Sequence, residues 1–315
     1  MIHILDETMQ VKAKDLAKSY GSIQALKGIT FTIPKGVITG FIGPNGAGKT
    51  TTLKILMGML KPDYGEVEVL GYNPWSEGHV LRKVVGYLPE NPVFPKGIKC
   101  YRLIEFYARL KKVHNVKAEI MRLAKLTGFT EYLDRKVDSL SRGYTQRLAL
   151  ILALIGEPKL VLLDEPTAHL DPITRTRILN IIKRIHRDEG IDFIISTHIL
   201  HELEKLCNYV IIIDKGHILE QGEVRELVSK HNMVIKYIAE APKNVDLLKV
   251  KKEIASLDYV TGIEIDENII KVSIKGTRCQ DFEVKLHELN LKLKEVQVPD
   301  LIKLYSKVIG ESIEG

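Results

Sequence analysis

The segment Gly43-Pro44-Asn45-Gly46-Ala47-Gly48-Lys49-Thr50 fits the spacing G-x-x-x-x-G-K-[ST]. That spacing does phosphate chemistry. Glycines keep Cβ atoms out of a tight turn, so successive backbone N–H groups can converge on one anion. A helix starting at the turn adds its positive end. Lys49 can then reach the outer phosphates of a nucleotide, and the Thr50 hydroxyl suits Mg²⁺. Further along, Leu160-Val161-Leu162-Leu163 runs into two carboxylates, Asp164 and Glu165. Alone this would read as a strand ending in two solvated acids. With the glycine-rich loop upstream, Asp164 suits holding Mg²⁺ through water, and Glu165 suits polarising an attacking water.

Both motifs need strands to deliver them. Residues 36–42 (GVITGFI) read as a short buried strand before the loop, and residues 51–60 (TTLKILMGML), opening at Thr51, as the helix after it. The apolar run 160–163 carries Asp164 to the carboxyl edge of the same sheet. Strands are also expected at 11–19, 29–33, 66–70, 84–88 and 191–196, with a hairpin of 210–214 and 217–221 around Lys215-Gly216. Helices are expected at 141–155, 173–189 and 200–206. Strands alternating with helices imply a mainly parallel sheet covered on both faces.

The block from Lys99 to Thr127 interrupts this rhythm with helical periodicity. Tyr101, Ile104, Phe106, Tyr107 and Leu110 make one apolar face; Ile120, Leu123, Ala124 and Leu126 make another. It reads as a helical subdomain, placed at about 90–155. A polar break, Ser229-Lys230-His231-Asn232, precedes a second rhythm: strand 234–238, helix 245–256, strands 260–265 and 269–274, helix 280–289, strand 291–298. That is the β-α-β-β-α-β ferredoxin-like pattern, with Val234, Ile238, Val260, Ile265, Ile269, Val272 and Ile274 as candidate core. A last helix is expected at 300–309. The domains expected are therefore 1–230 and 231–315.

Composition narrows the class. The chain has 315 residues, 45% hydrophobic and 27% charged, with a net charge of +6. That is ordinary for a globular protein, and the lysines form no dense basic tract, so no nucleic-acid partner is expected. Cys100, Cys207 and Cys279 lack metal or disulfide spacing, which fits a reducing cytoplasm. Residues 1–9 lack the basic and apolar regions of a signal peptide and read as disordered, or as preceding a start at Met9. The most apolar stretch, 148–163, is broken at 156–159 and falls short of the ~20 residues a membrane span needs.

Between the two chemical motifs stands Leu140-Ser141-Arg142-Gly143-Tyr144-Thr145-Gln146. Here the chain resembles the nucleotide-binding subunits of ABC transporters, whose signature is usually L-S-G-G-Q. Arg142 and Tyr144 depart from it; Ser141 and Gly143 keep it. The resemblance covers roughly 11–226. It implies a P-loop ATPase fold of ABC type, α/β, with a helical subdomain, an antiparallel β-subdomain and, here, a smaller C-terminal α+β domain. It implies ATP and Mg²⁺ as ligands. Nucleotide contacts would come from Tyr20, stacking on adenine, the loop residues Gly43, Pro44, Asn45, Gly46, Ala47, Gly48, Lys49, Thr50 and Thr51, and Ser141, Gly143 and Asp171. Catalysis would fall to Lys49, Glu165 and the switch residue His198. Metal contacts would fall to Thr50, Asp164 and Glu90; Glu90 stands where the family normally has a glutamine. His169 is atypical in the loop ending at Asp171.

The resemblance further implies a homodimer closing head to tail over two Mg-ATP, with Ser141 of each copy gripping the nucleotide of the other. It implies a separate transmembrane permease docked on residues 90–138, a location on the inner face of the cell membrane, and ATP-driven transport. Residues 231–315 resemble the extension on some exporter ATPases, so export is expected. A non-transport ABC ATPase acting on DNA or ribosomes is the alternative, but the chain lacks a long coiled-coil insertion or a second ATPase unit. A non-hydrolysing regulator fits poorly with Glu165 and His198.

Overall fold

The computed structural model describes residues 8–204, 206–231, 233–242, 245–275, 278–297 and 301–314. Residues 1–7, Asn232, Val298 and Asp300, which figured in the sequence reading, lie outside them. The chain divides into two compact units, Met1–Gln221 and Gly222–Gly315.

The first unit opens with two long strands, β1 (Met9–Tyr20) and β2 (Ile23–Pro34). They pair antiparallel and turn through Gly21. The short strand β3 (Ile38–Ile42) follows, then helix α1 (Lys49–Leu56), β4 (Tyr64–Val69), α2 (Gly78–Val84) and β5 (Val85–Leu88). Next come α3 (Cys100–Leu110), α4 (Val116–Thr127), α5 (Arg142–Leu154), β6 (Leu160–Asp164), α6 (Pro172–Glu189), β7 (Asp192–Thr197), β8 (Tyr209–Asp214) and β9 (His217–Glu223). Among the described residues these strands form a three-stranded antiparallel sheet, β2-β1-β4, and a six-stranded sheet, β5-β6-β7-β3-β8-β9.

The central strands β3, β6 and β7 are buried at every position. Helices on both faces of a parallel sheet leave no wet side, which is why these strands read as unbroken apolar runs rather than alternating ones. Helix α1 lies between the two sheets, touching β2 and β4 on one side and β6 and β7 on the other. Phe31 of β2 and Phe41 of β3 meet edge to face across that core, 5.7 Å apart. The parallel register is what positions the chemistry. Asp164 pairs with Ser196, and Ile42 with Thr197. The loop that begins at Gly43 therefore opens beside Asp164, Glu165 and His198.

Helices α3, α4 and α5 make the helical subdomain, packed through Leu103, Ile104, Ile120, Leu123, Leu148 and Ile151. Asn115 caps α4 by accepting from the Ala118 N–H, and Gly128 ends it in the left-handed conformation. The expected face of α3 is only half right. Ile104 is buried, but Phe106 is 59% and Leu110 66% exposed; Leu103 and Ala108 face the core instead. Only one side of this helix meets α4 and α5, and the other carries apolar groups with nothing from the described chain over them. Two further differences are local. Where a helix is expected at 200–206, the described residues form a 3₁₀ turn, Leu200–Glu202, and Val84 ends α2 instead of starting β5.

The second unit contains α7 (Val224–Lys230), β10 (Val234–Glu240), α8 (Leu247–Ala255), β11 (Val260–Asp266), β12 (Ile269–Lys275), α9 (Cys279–Glu288), β13 (Lys292–Gln297) and α10 (Leu301–Glu314). Its sheet has the order β11-β12-β10-β13, each neighbouring pair antiparallel. The division falls before α7, not at the polar break after it. Val228 of α7 is buried in the same core as Ile235, Tyr237 and Phe282. On β10 the expected register was off by one. Ile235, Tyr237 and Ala239 point into the core, while Val234 is 46% exposed. On β12 the inward set is Ile270, Val272 and Ile274, so Ile269 moves to the outer face as well.

Candidate active site

The glycine-rich loop joins β3 to α1. Close quarters dictate its glycines. A Cβ on Gly43 would lie 2.2 Å from the carbonyl oxygen of Ile213, and Gly48 takes φ of 111° with Ala25 O 2.8 Å from where its Cβ would be. The Lys49 ammonium folds back over the loop, donating to the carbonyls of Gly43 at 2.8 Å and Pro44 at 3.0 Å. It also lies 3.4 Å from Glu165 Oε1, and both side chains are buried. The cation thus stands where phosphate charge would be met, partnered meanwhile by groups that can release it.

Asp164 is held by two hydroxyls. Thr50 Oγ1 donates to its Oδ1 at 3.0 Å and Ser196 Oγ at 2.6 Å. Ser196 also accepts the Glu165 N–H on its Oγ at 3.0 Å. Glu165 adopts φ of 47°, a left-handed conformation that turns the chain sharply off β6 and swings its carboxylate toward the loop. There it meets His198, whose Nδ1 lies 3.1 Å from Oε1 and 3.0 Å from Oε2. Lys49, Glu165 and His198 are therefore one contiguous group, assembled from three different strand ends.

A cleft of about 710 Å³ opens over this group. Its walls include Tyr20, Asn45, Gly46, Gly48, Lys49, Thr50, Thr51, Glu90, Glu165 and His198. Tyr20 stands at the end of β1, 49% exposed and available for a planar ring to stack on. Glu90 borders the cleft and accepts a hydrogen bond on its main-chain carbonyl from Gln146 of α5 at 3.3 Å. The Tyr87 phenol, one turn before it, is pushed up in pKa by burial and by the nearby carboxylates of Asp164 and Glu90.

Three residues singled out in the sequence lie away from this cleft. Ser141 and Gly143 sit at the start of α5, with Gly143 packed on Thr174 of α6. Ser141 occupies the N-cap position, but its side chain makes no capping hydrogen bond, and it is exposed. Asp171 does cap its helix, accepting from the Thr174 N–H at 2.9 Å. That hydrogen bonding holds its carboxyl below the usual range. Residues that motif reading missed are Ser196, Gln146, Thr167, Arg175 and Glu202. Their signal is weak: single polar side chains that turn out buried, with no spacing to announce them.

A loop of this geometry, a histidine just past the adjoining strand β7, and an aspartate and glutamate at the end of β6 beyond it narrow the field to nucleotide hydrolases. The family model described as ABC transporter matches residues 26–168. The bacitracin transport ATP-binding protein BcrA of Bacillus licheniformis is 32% identical over 227 residues, covering 72% of this chain and 74% of that protein. The chain belongs to the ATP-binding subunits of ABC transporters. The linearmycin resistance ATP-binding protein LnrL of Bacillus subtilis (strain 168) is 27% identical over 313 residues, 96% of this chain and 99% of its own length. Among solved structures, cbiO1 of Clostridium perfringens, part of the ABC transporter complex cbiONQ, superposes with a TM-score of 0.62 at 30% identity, covering 70% of this chain and 91% of its own. As a member of this family the chain binds ATP, and the family hydrolyses it. No helix among the described residues is long and apolar enough to cross a membrane.

Proposed function

We propose that the cleft over Lys49, Glu165 and His198 binds Mg-ATP and hydrolyses it, and that two copies of the chain drive a separate export permease. The observation that carries the reading is the contact of Glu165 with both Lys49 and His198 at the mouth of the loop. Loop N–H groups and the Lys49 ammonium offset phosphate charge. Tyr20 stacks on the base. Glu165 draws the proton of a water that attacks the γ-phosphorus as the bond to the bridging oxygen breaks. His198 holds that water and the γ-phosphate from the side opposite Lys49. Exposed Ser141 and half-buried Gly143 at the start of α5, with Asp171 capping α6, meet the nucleotide of the opposite copy.

The donor set fits Mg²⁺. Thr50 and Asp164 present hard oxygens 3.0 Å apart. Among the described residues no group of three His, Cys, Asp or Glu could cage a metal, and Mg²⁺ takes one or two protein oxygens and completes its shell with phosphate and water. When bound, Mg²⁺ neutralises charge developing on the phosphates. Glu90 contributes through a water.

Export is supported by two relatives, one named for linearmycin resistance and the other for bacitracin transport. The exposed apolar side of α3, with Phe106 and Leu110, supplies a surface for the permease, which would hold the chain on the inner face of the membrane. The reading is tested with Glu165→Gln. ATP binding is expected to persist while turnover falls by about a hundredfold or more. Size-exclusion chromatography in Mg-ATP should then show a trapped dimer. A persistent monomer would overturn the two-copy sandwich, and parent-rate hydrolysis would overturn the role of Glu165.

A further inference from the structure

Glu165 and His198 end two neighbouring strands and face the cleft. A second set of side chains, from the same two segments and from α6, meets beside them, with Arg175 also lining the cleft. Just past Glu165, Thr167 donates a short hydrogen bond from Oγ1 to Glu202 Oε2. Glu202 itself lies just past His198. Its other oxygen, Oε1, pairs with Arg175 Nη1 at 2.7 Å. Arg175 stands in the first turn of α6, and its Nη2 donates to the Leu170 carbonyl at 3.2 Å. One carboxylate therefore ties together the loop after Glu165, the start of α6 and the segment after His198.

The Glu202 side chain is only 2% exposed. Burying a carboxylate is costly unless its charge is paired; here Oε2 accepts from Thr167, while Oε1 rests on the Arg175 ion pair alone and accepts no hydrogen bond of good geometry. Burial pushes its pKa up, while Thr167 and Arg175 pull it back down. Each segment has main-chain hydrogen bonds of its own, from the Ala168 N–H to the Glu165 carbonyl and from the Leu203 N–H to the Leu200 carbonyl, but these stay within one segment. His198 leads into a single 3₁₀ turn. The loop between β6 and α6 passes through left-handed conformations at Glu165 (φ 47°) and His169 (φ 61°), on either side of Thr167. Non-glycine residues keep such conformations only where their surroundings over-determine them.

We propose that Glu202 is a positioning residue for ATP hydrolysis: through Thr167 and Arg175 it clasps the 165–171 loop to the 198–202 segment, and so sets His198 against Glu165. The proposal rests on the roles given above to Glu165 and His198.

The test uses the full chain carrying Glu202→Gln, Thr167→Val, Thr167→Ser, the Glu202→Gln/Thr167→Val double substitution, and Glu165→Gln as reference. The kcat of Glu202→Gln and of Thr167→Val should fall about tenfold or more, because a small displacement of His198 is enough to misplace the water. The KM for ATP should stay within about twofold, since neither side chain contacts the loop or Lys49 in this arrangement. Thr167→Ser keeps the hydroxyl and should run near the parent rate. The double variant should be no slower than the slower single one, as expected when both remove one linkage. Parent-rate turnover in folded Thr167→Val, equal losses in the Ser and Val variants, a loss confined to KM, or additive losses would each overturn the proposal. If Glu202→Gln fails to fold, the Thr167→Val and Thr167→Ser pair decides alone. Retained turnover in Glu165→Gln would instead overturn the underlying reading of the site.

Discussion

His198 Nδ1 lies 3.0 Å from Glu165 Oε2, across the seam between β7 and β6. The two residues are far apart in the chain, yet the parallel register places them side by side. Lys49 approaches the same carboxylate from the first residue of α1, at 3.4 Å. A carboxylate between an ammonium and an imidazole is held in one orientation before any substrate arrives, which is the preorganisation the proposed hydrolysis calls for.

Lys49→Ala should remove that cation and leave only neutral N–H groups against the phosphates. Turnover is expected to fall by about a hundredfold or more, with ATP binding weakened. Steady-state phosphate release and titration with a fluorescent ATP analogue give both quantities. Parent-like rates would place the chemistry elsewhere.

Glu90→Gln restores the amide that the family normally has at this position. Glu90 meets α5 through its main chain, by the Gln146 hydrogen bond, so the side-chain change leaves that link intact. Basal hydrolysis should stay within about threefold of the parent, while stimulation by the permease changes. A large basal loss without permease would make Glu90 part of the chemistry itself.

Phe106→Ser together with Leu110→Ser should spare basal hydrolysis. Both side chains are exposed on α3, so stability should move by no more than about 0.5 kcal/mol for each. Permease-stimulated hydrolysis in proteoliposomes is the sensitive readout and should be lost. Full stimulation by the double variant would move the docking surface off α3.

Truncation after Glu223, where β9 ends, should give a better-behaved ATPase unit than truncation after Lys230. The longer piece would keep α7 but strip Val228 of the core it is buried in. Comparing soluble yield and turnover per site for the two truncations checks this, and a better-behaved longer piece would put α7 with the first unit. Retained turnover in either would show the second unit to be accessory to the chemistry.

The site was largely legible because phosphate chemistry restricts residue types at fixed spacing. Gly43 to Thr50, Asp164 and Glu165 announce themselves by spacing and His198 only through the family resemblance, and the fold brings Lys49, Glu165 and His198 into contact. What escaped did so for physical reasons. The apolar side of α3 reads as core from periodicity alone, which cannot say whether this chain or another covers it. On β10, apolar residues stand at both 234/235 and 237/238, so two opposite registers fit the pattern, and only pairing with β12 selects one. Glu202 is a buried polar group with no periodicity, visible only once Thr167 and Arg175 are beside it. The polar segment 229–232 looks like a linker, but the second core reaches back past it to Val228.

The strand that carries the phosphate loop has consequences for biosynthesis. β3, at Ile38–Ile42, is flanked in the sheet only by β7 and β8, at Asp192–Thr197 and Tyr209–Asp214. As the chain leaves the ribosome, β1 and β2 can pair at once, and β4 can join them early. β3 must wait for most of the first unit to emerge before either neighbour exists. Such long-range pairing closes large loops and is slow. The nucleotide cradle is thus among the last parts to be assembled, and during that wait the apolar face of a strand with two unfilled edges is open to the wrong partner.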